Sequence, residues 1–254
     1  MSAGGFEITY WEAGSGDPLV VLHGAGGPRI TPAHERLAEQ FRMLYVQIPG
    51  FGGSPANERS QTLEDLAETI AELAEAVELD RYALLGTSFG GATAAWIAIL
   101  HPERVSELVL ESPAAFRPND EPLPSLSPEQ IFQALHAHPD RLPPLPMPSP
   151  ETAEKQLGFV RRVLAATDTE AFAERLRGLP VPTMVMFGTR DGLIPTEMGR
   201  RYKELIPGCD YVIVYDAAHE ISTDRPEAYV ELVADFLERQ EGHIVTRASR
   251  VINP

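Results

Sequence analysis

Cysteine is almost missing from this chain: Cys209 is the single one among 254 residues. A lone cysteine closes no internal disulfide, so the fold must rest on packing, and the composition fits a reducing compartment. Cys209 stands in the loop-like "IPGCDY" with no acid–base pair beside it in sequence, and is read as non-catalytic. Positive charge is scarce too. The 21 Lys and Arg are outnumbered by 37 Asp and Glu, for a net charge of −16. That field repels a phosphate backbone, so no nucleic-acid partner is expected. The acids lie in helix-like runs such as "EDLAETIAELAEAVELD", a solvated face and no acidic tail. No apolar run approaches the roughly 20 residues that cross a bilayer, so no membrane partner is expected. The opening "MSAGGFEITYWEAG" has neither the basic start nor the apolar stretch of a secretory leader, and the expected location is cytoplasmic. A metal-ligand cluster, a P-loop and a dinucleotide fingerprint are also missing, so neither cofactor nor metal is expected.

What is present is an alternation of short apolar runs with amphipathic ones. "FEITYWEAG" predicts a strand ending at the turn "GSGDP". "LVVLHG" and "RMLYVQIPG" are short apolar runs stopped by glycine, which suits buried strands. Between them "TPAHERLAEQF" opens with Thr31 as N-cap and Pro32 at the first helical position. Thr62 and Asp65 make a capping pair ahead of a helix whose Leu63, Leu66, Ile70, Leu73 and Val77 share one face. "YALLG" is a strand, "FGGATAAWIAIL" a helix and "VSELVLESP" a strand. The predicted fold class is α/β, with a mostly parallel central sheet and helices on both faces.

From Phe116 to Gly178 the rhythm breaks. Prolines crowd "PNDEPLPSLSP" and "PDRLPPLPMPSP", and three helix-like pieces carry their own apolar positions. We read 116–178 as a small helical lid insertion, and 1–115 with 179–254 as the core. The strand "PTMVMFG", the helix "TEMGRRYKELI", the strand "YVIVYD" and the helix "PEAYVELVADFLERQ" then resume the pattern. The length suits one large core with such an insertion.

Gly86-Thr87-Ser88-Phe89-Gly90 is a G-x-S-x-G stretch between a strand and a helix. Two glycines around a serine also arise by chance; the strand before and the helix after make this a nucleophile-elbow setting. At this point the chain resembles the α/β-hydrolase family, from "PLVVLHGAGG" through "IPGFGGSP", the elbow and "FGTRDGLIP" to "AAHEISTDRPE". Gln47 departs from the pattern, since many relatives have an acid shortly before the "PGFGGS" glycines; the expected consequence is a change in loop hydrogen bonding. The family's chain order of serine, acid, histidine falls on Ser88, Asp191 and His219. The implied roles are nucleophile, orienting acid and general base. Glu111, ending "VSELVLE", is the alternative acid. By the same resemblance the "HGAGG" loop and the elbow supply an oxyanion hole from the backbone N–H groups of Ala25, or alternatively Gly26, and Phe89. His23 is expected to order its loop. His34, His101, His136, His138 and His243 are expected at the surface.

The expected activity is hydrolysis of a small, largely apolar carboxylic ester through an acyl-serine. Relatives that cleave carbon–carbon bonds typically carry an aromatic residue after the histidine, where this chain has Glu220. The chain is also compatible with a cofactor-free perhydrolase and with a slow-turnover receptor that signals through a partner protein. Phe116, Phe132, Met147 and Phe159 are candidate apolar walls from the insertion, which is short and suggests short to medium acyl groups.

Overall fold

The computed structural model describes residues 1–116, 127–139, 142, 148–239 and 251–252. Two short strands, β1 (Ser2–Ala3) and β2 (Phe6–Glu7), pair as a hairpin over Gly4-Gly5. The sequence pattern predicts one continuous strand from the second of these through β3 (Tyr10–Ala13). The structure divides them at Ile8 and Thr9, and β3 turns to pair antiparallel with β5 (Arg42–Val46).

The main sheet is built around β4 (Pro18–Leu22), β5, β6 (Tyr82–Thr87), β7 (Val105–Glu111), β8 (Thr183–Gly188) and β9 (Asp210–Val214). These six run parallel; β3 and a short β10 (Val251–Ile252) close the edges antiparallel. The spatial order is β10-β9-β8-β7-β6-β4-β5-β3. Strand alternation divides the core. Leu19, Val21, Leu85, Met184 and Met186 face one layer. Val20, Leu22, Leu84, Val185 and Phe187 face the other.

The first layer is covered by α1 (Pro32–Leu37) and α9 (Pro226–Arg239), the second by α2 (Leu63–Ala76), α3 (Phe89–Leu100) and α7 (Glu197–Leu205). Thr62 and Asp65 form the expected capping box on α2. Thr31 caps α1 as expected, yet its partner is His34: Thr31 N donates to His34 Nδ1 (3.1 Å) and His34 N to Thr31 Oγ1 (3.4 Å). His34 is therefore buried, contrary to expectation, and burial lowers its pKa to about 4.

Between β7 and β8 lie α4 (Pro128–Leu135), α5 (Pro150–Ala165) and α6 (Thr169–Leu176). Lys155 Nζ on α5 donates to Gly52 O (3.1 Å) and Ser54 O (2.7 Å), and Arg162 on the same helix donates to Asn57 O and Ser60 O. Phe159 meets the rings of Phe51 and Phe89 at 6.1 and 5.8 Å. Phe116 is fully buried against Phe172 and Tyr202, so it belongs to the core and is no wall. Phe132 is half-buried against the His136 ring. Met147 and His243 lie outside the described residues.

Candidate active site

The chain leaves β4 toward β5 on one side and leaves β6 toward β7 on the other. Such a reversal opens a crevice at the carboxyl ends of the two strands. Ser88 follows β6 there, with φ 53° and ψ −111°. A non-glycine residue in that region costs on the order of 1–3 kcal/mol and persists only where neighbours hold it. They do: Ser88 N donates to Glu111 O (2.8 Å), and Ala92 N and Ala114 N both donate to Ser88 O (3.0 Å). The flanking glycines are required by close approach. A Cβ on Gly86 would sit 2.4 Å from Gly90 O, and one on Gly90 would sit 2.5 Å from the carbonyl oxygens of Leu22 and His23.

The β4 loop lies against this turn, since a Cβ on Gly24 would come within 3.4 Å of Ser88 Cβ. His23 fixes that loop. Its Nε2 accepts from Ile48 N (3.0 Å), so Nδ1 carries the proton that Gly24 O accepts at 2.7 Å. Burial lowers its pKa to about 4, only partly offset by the Gly24 bond, and the ring stays neutral. Ala25 is packed against the core beyond it, and Phe89 N is the first amide of α3, which has no carbonyl partner within the helix. Gln47 Nε2 donates to Phe51 O (3.1 Å) and Ser54 Oγ (2.8 Å). A carboxylate could not donate these two bonds.

Asp191 and His219 stand beyond the ends of β8 and β9. Their loops are joined by Thr189 N to Val214 O (3.0 Å) and Arg190 N to Ala217 O (2.8 Å). His219 Nδ1 and Asp191 Oδ2 are 2.9 Å apart, with both side chains buried. Asp191 Oδ1 accepts from Leu193 N and Ile194 N, each at 2.9 Å, which fixes the carboxylate's plane. Burial alone would lower the His219 pKa. The charge and hydrogen bond of Asp191 outweigh it, with Glu220 and Glu111 adding to them, and the net shift is upward. His219 Nε2 is buried with no hydrogen-bond partner among the described residues.

The Glu111 carboxyl bonds elsewhere than to the His219 ring. Thr87 Oγ1 donates to its Oε2 (2.5 Å) and Ser222 N to its Oε1 (2.8 Å). Burial raises its pKa to about 7 against the pull of those two bonds; Glu220 raises it further and His219 lowers it. Of the two candidate acids, Asp191 is the one hydrogen-bonded to the His219 ring.

Three features have no clear mark in the sequence pattern. A short helix α8 (Ile221–Asp224) begins two residues after His219. The carboxyl end of α4 is tied to both loops, through Gly192 N to Ala134 O (3.2 Å) and Glu220 N to Leu135 O (3.1 Å). His136, expected at the surface, is buried there, 4.0 Å from Glu220 Oε2, which is itself 2.9 Å from Arg29 Nη1. His138 is half-buried and pairs with Asp216 at 2.8 Å, while His101 pairs with Glu68 at 2.9 Å. Cys209 is buried, and burial pushes its thiol up to about 12, which fits a non-catalytic residue.

This arrangement is that of a hydrolase built on the α/β-hydrolase fold. The model of the alpha/beta hydrolase family matches residues 19–232, and the chain belongs to that family. It is 30% identical over 258 residues to a pimeloyl-[acyl-carrier protein] methyl ester esterase of Klebsiella pneumoniae, covering 87% of this chain and 95% of that relative. It is 25% identical over 271 residues to a 2-hydroxy-6-oxo-6-(2'-aminophenyl)hexa-2,4-dienoic acid hydrolase of Metapseudomonas resinovorans, covering 98% and 93%. A meta-cleavage product hydrolase of Pseudomonas fluorescens has the same fold, with a TM-score of 0.73 at 19% identity over 94% of this chain and 97% of that one. Among the described residues no helix is long and apolar enough to cross a membrane.

Proposed function

We propose that the chain is a serine esterase in which Ser88 is the nucleophile, His219 the general base and Asp191 the residue that orients the imidazole. The observation that carries this reading is a strained serine at a strand–helix turn, at the same sheet edge as a buried His–Asp pair whose Nε2 is unbonded. His219 Nε2 takes the Oγ proton as Ser88 attacks the ester carbonyl carbon. The negative oxygen that forms is held by the N–H groups of Phe89 and Ala25, an arrangement supported by the closeness of the β4 loop to Ser88. Collapse breaks the C–O bond, and the alcohol leaves with the proton from His219. Water then attacks the acyl-serine, giving its proton to His219; the acid departs and Ser88 recovers its hydrogen.

The substrate class is a small, largely apolar carboxylic ester, in line with the methyl ester named for the 30% identical relative. The segment carrying α4–α6 is the proposed lid, supported by its ties to the Asp191 and His219 loops and by Phe159 beside Phe89. A single buried cysteine supports a cytoplasmic location. Carbon–carbon cleavage is the second reading, favoured by the dienoic acid hydrolase relative. Glu220 counts against it, because the position after His219 holds a carboxylate paired with Arg29. The test is kcat/KM over p-nitrophenyl esters from acetyl to palmitoyl, with a 2-hydroxy-6-oxo-dienoate alongside. A maximum at short to medium esters is expected, with Ser88→Ala losing about a million-fold. Faster turnover of the dienoate would transfer the assignment to the second reading.

A further inference from the structure

Glu111 is a fully buried carboxyl that the proposed reaction does not use. It has three attachments, each to a part of the site. Its carbonyl oxygen accepts from Ser88 N (2.8 Å). Its Oε2 accepts from the hydroxyl of Thr87, the residue before the nucleophile. Its Oε1 accepts from Ser222 N, three residues after the histidine, inside α8. One side chain thus spans two loops that lie far apart in sequence, and the loops carry the two groups between which a proton must pass.

We propose that Glu111 is a positioning residue: its two carboxyl oxygens tie Thr87 of the elbow to the first turn of α8 and thereby set the separation between Ser88 Oγ and His219 Nε2. The inference rests on the assignment of Ser88 and His219 above. A proton transfer of this kind tolerates little error in donor–acceptor geometry, and a misplacement of about 1 Å can cost on the order of a hundredfold. The elbow alone does not set the separation, because it fixes Ser88 and leaves the histidine loop to other contacts. Asp191 orients the ring through Nδ1 yet belongs to the β8 loop, which is itself bonded to the histidine loop through Thr189 and Arg190. Glu111 is the described side chain that bonds both the elbow and α8. The groups around it are Thr87 on β6, Ser222 on α8, His219 and Glu220 ahead of α8, and Tyr45 and Tyr229 on β5 and α9, whose phenols are pushed upward chiefly by burial, with its charge adding to it.

Glutamine at 111 keeps both ties, accepting from Ser222 N through its oxygen and donating to Thr87 through its amide, whereas alanine removes both. Thr87→Val removes the elbow tie alone without changing shape. The readout is kcat for p-nitrophenyl acetate per serine titrated by a fluorophosphonate, which counts only correctly folded sites. Glu111→Ala and Thr87→Val are expected to lower this normalised kcat by tenfold or more, with KM changed less than threefold. Glu111→Gln is expected to remain within threefold of wild type, and the Thr87→Val/Glu111→Ala pair to be no worse than Glu111→Ala. If Glu111→Ala yields no titratable protein, Thr87→Val decides. An unchanged normalised kcat in Thr87→Val and in any titratable Glu111→Ala, or a Glu111→Gln loss as deep as that of alanine, overturns the tie and leaves the esterase reading intact. A probe adduct on wild-type protein at a residue other than Ser88 overturns both.

Discussion

The ends of β7 and β8 each present a buried carboxyl toward the histidine loop, and they differ in what surrounds them. Asp191, beyond β8, receives two backbone N–H groups on one oxygen and the His219 ring on the other. Glu111, at the end of β7, receives one hydroxyl and one N–H, and burial lifts its pKa to about 7. The Asp191 carboxyl thus has three donors, one of them the His219 ring. The two donors pull the Glu111 pKa down, and burial outweighs them. On the proposed reading, neighbouring strand ends supply an orienting acid bonded to the His219 ring and a brace bonded to the elbow and α8.

Asparagine substitution is the strongest way to break this comparison. Asp191→Asn keeps the shape but cannot enforce the required tautomer of His219, and kcat is expected to fall about 10⁴-fold. Glu111→Gln is expected to remain within a few-fold of wild type. Steady-state kinetics on the two variants side by side checks this, and a reversed order would return Glu111 to the role of orienting acid.

Stability sharpens it next. The Glu111 pKa rises from an ordinary 4.5 to about 7 in the folded chain. The native state then binds the proton more tightly than the unfolded one, so stability falls as pH rises from 4.5 and the whole penalty is present above about 7. The shift corresponds to roughly 3 kcal/mol. Glu111→Gln cannot ionise, so its stability relative to wild type should improve by about that amount between pH 4 and pH 8, read from urea midpoints at each pH.

The smallest effect concerns the base. As the proposed base, His219 must be neutral to take the serine proton, and its pKa is raised. The fall of kcat/KM toward acid should therefore be centred above the ordinary histidine value of about 6.5. Charge on Glu111 contributes to that rise, so Glu111→Gln should move the midpoint downward. A midpoint that stays in place or moves up would mean that Glu111 carries no charge felt by the ring.

Much of the fold and site is legible in the chain because the signals are local. Alternating Leu19, Val20, Val21 and Leu22 divide between two core layers. Thr62 with Asp65 announces α2, and Gly86 and Gly90 announce the elbow by leaving no room for a Cβ. What escapes depends on partners far away in sequence. His34 looks like a surface residue because its role needs the Thr31 backbone and the ring of Tyr45, 5.1 Å away. His136 is buried by Glu220 and the end of α4, which no local pattern joins. The link from Glu111 to Ser222 spans 111 positions, and only the sheet order brings its ends together. The hairpin of β1 and β2 does have a local signal, Gly4-Gly5, both at positive φ.

The central claim is that Ser88 is activated by His219. The most direct measurement is mass spectrometry of the protein after a fluorophosphonate, comparing wild type with His219→Ala. A single adduct on the peptide containing Ser88 is predicted, formed at least a hundredfold more slowly in the variant. An adduct on another residue, or equal labelling rates in the two proteins, would contradict it.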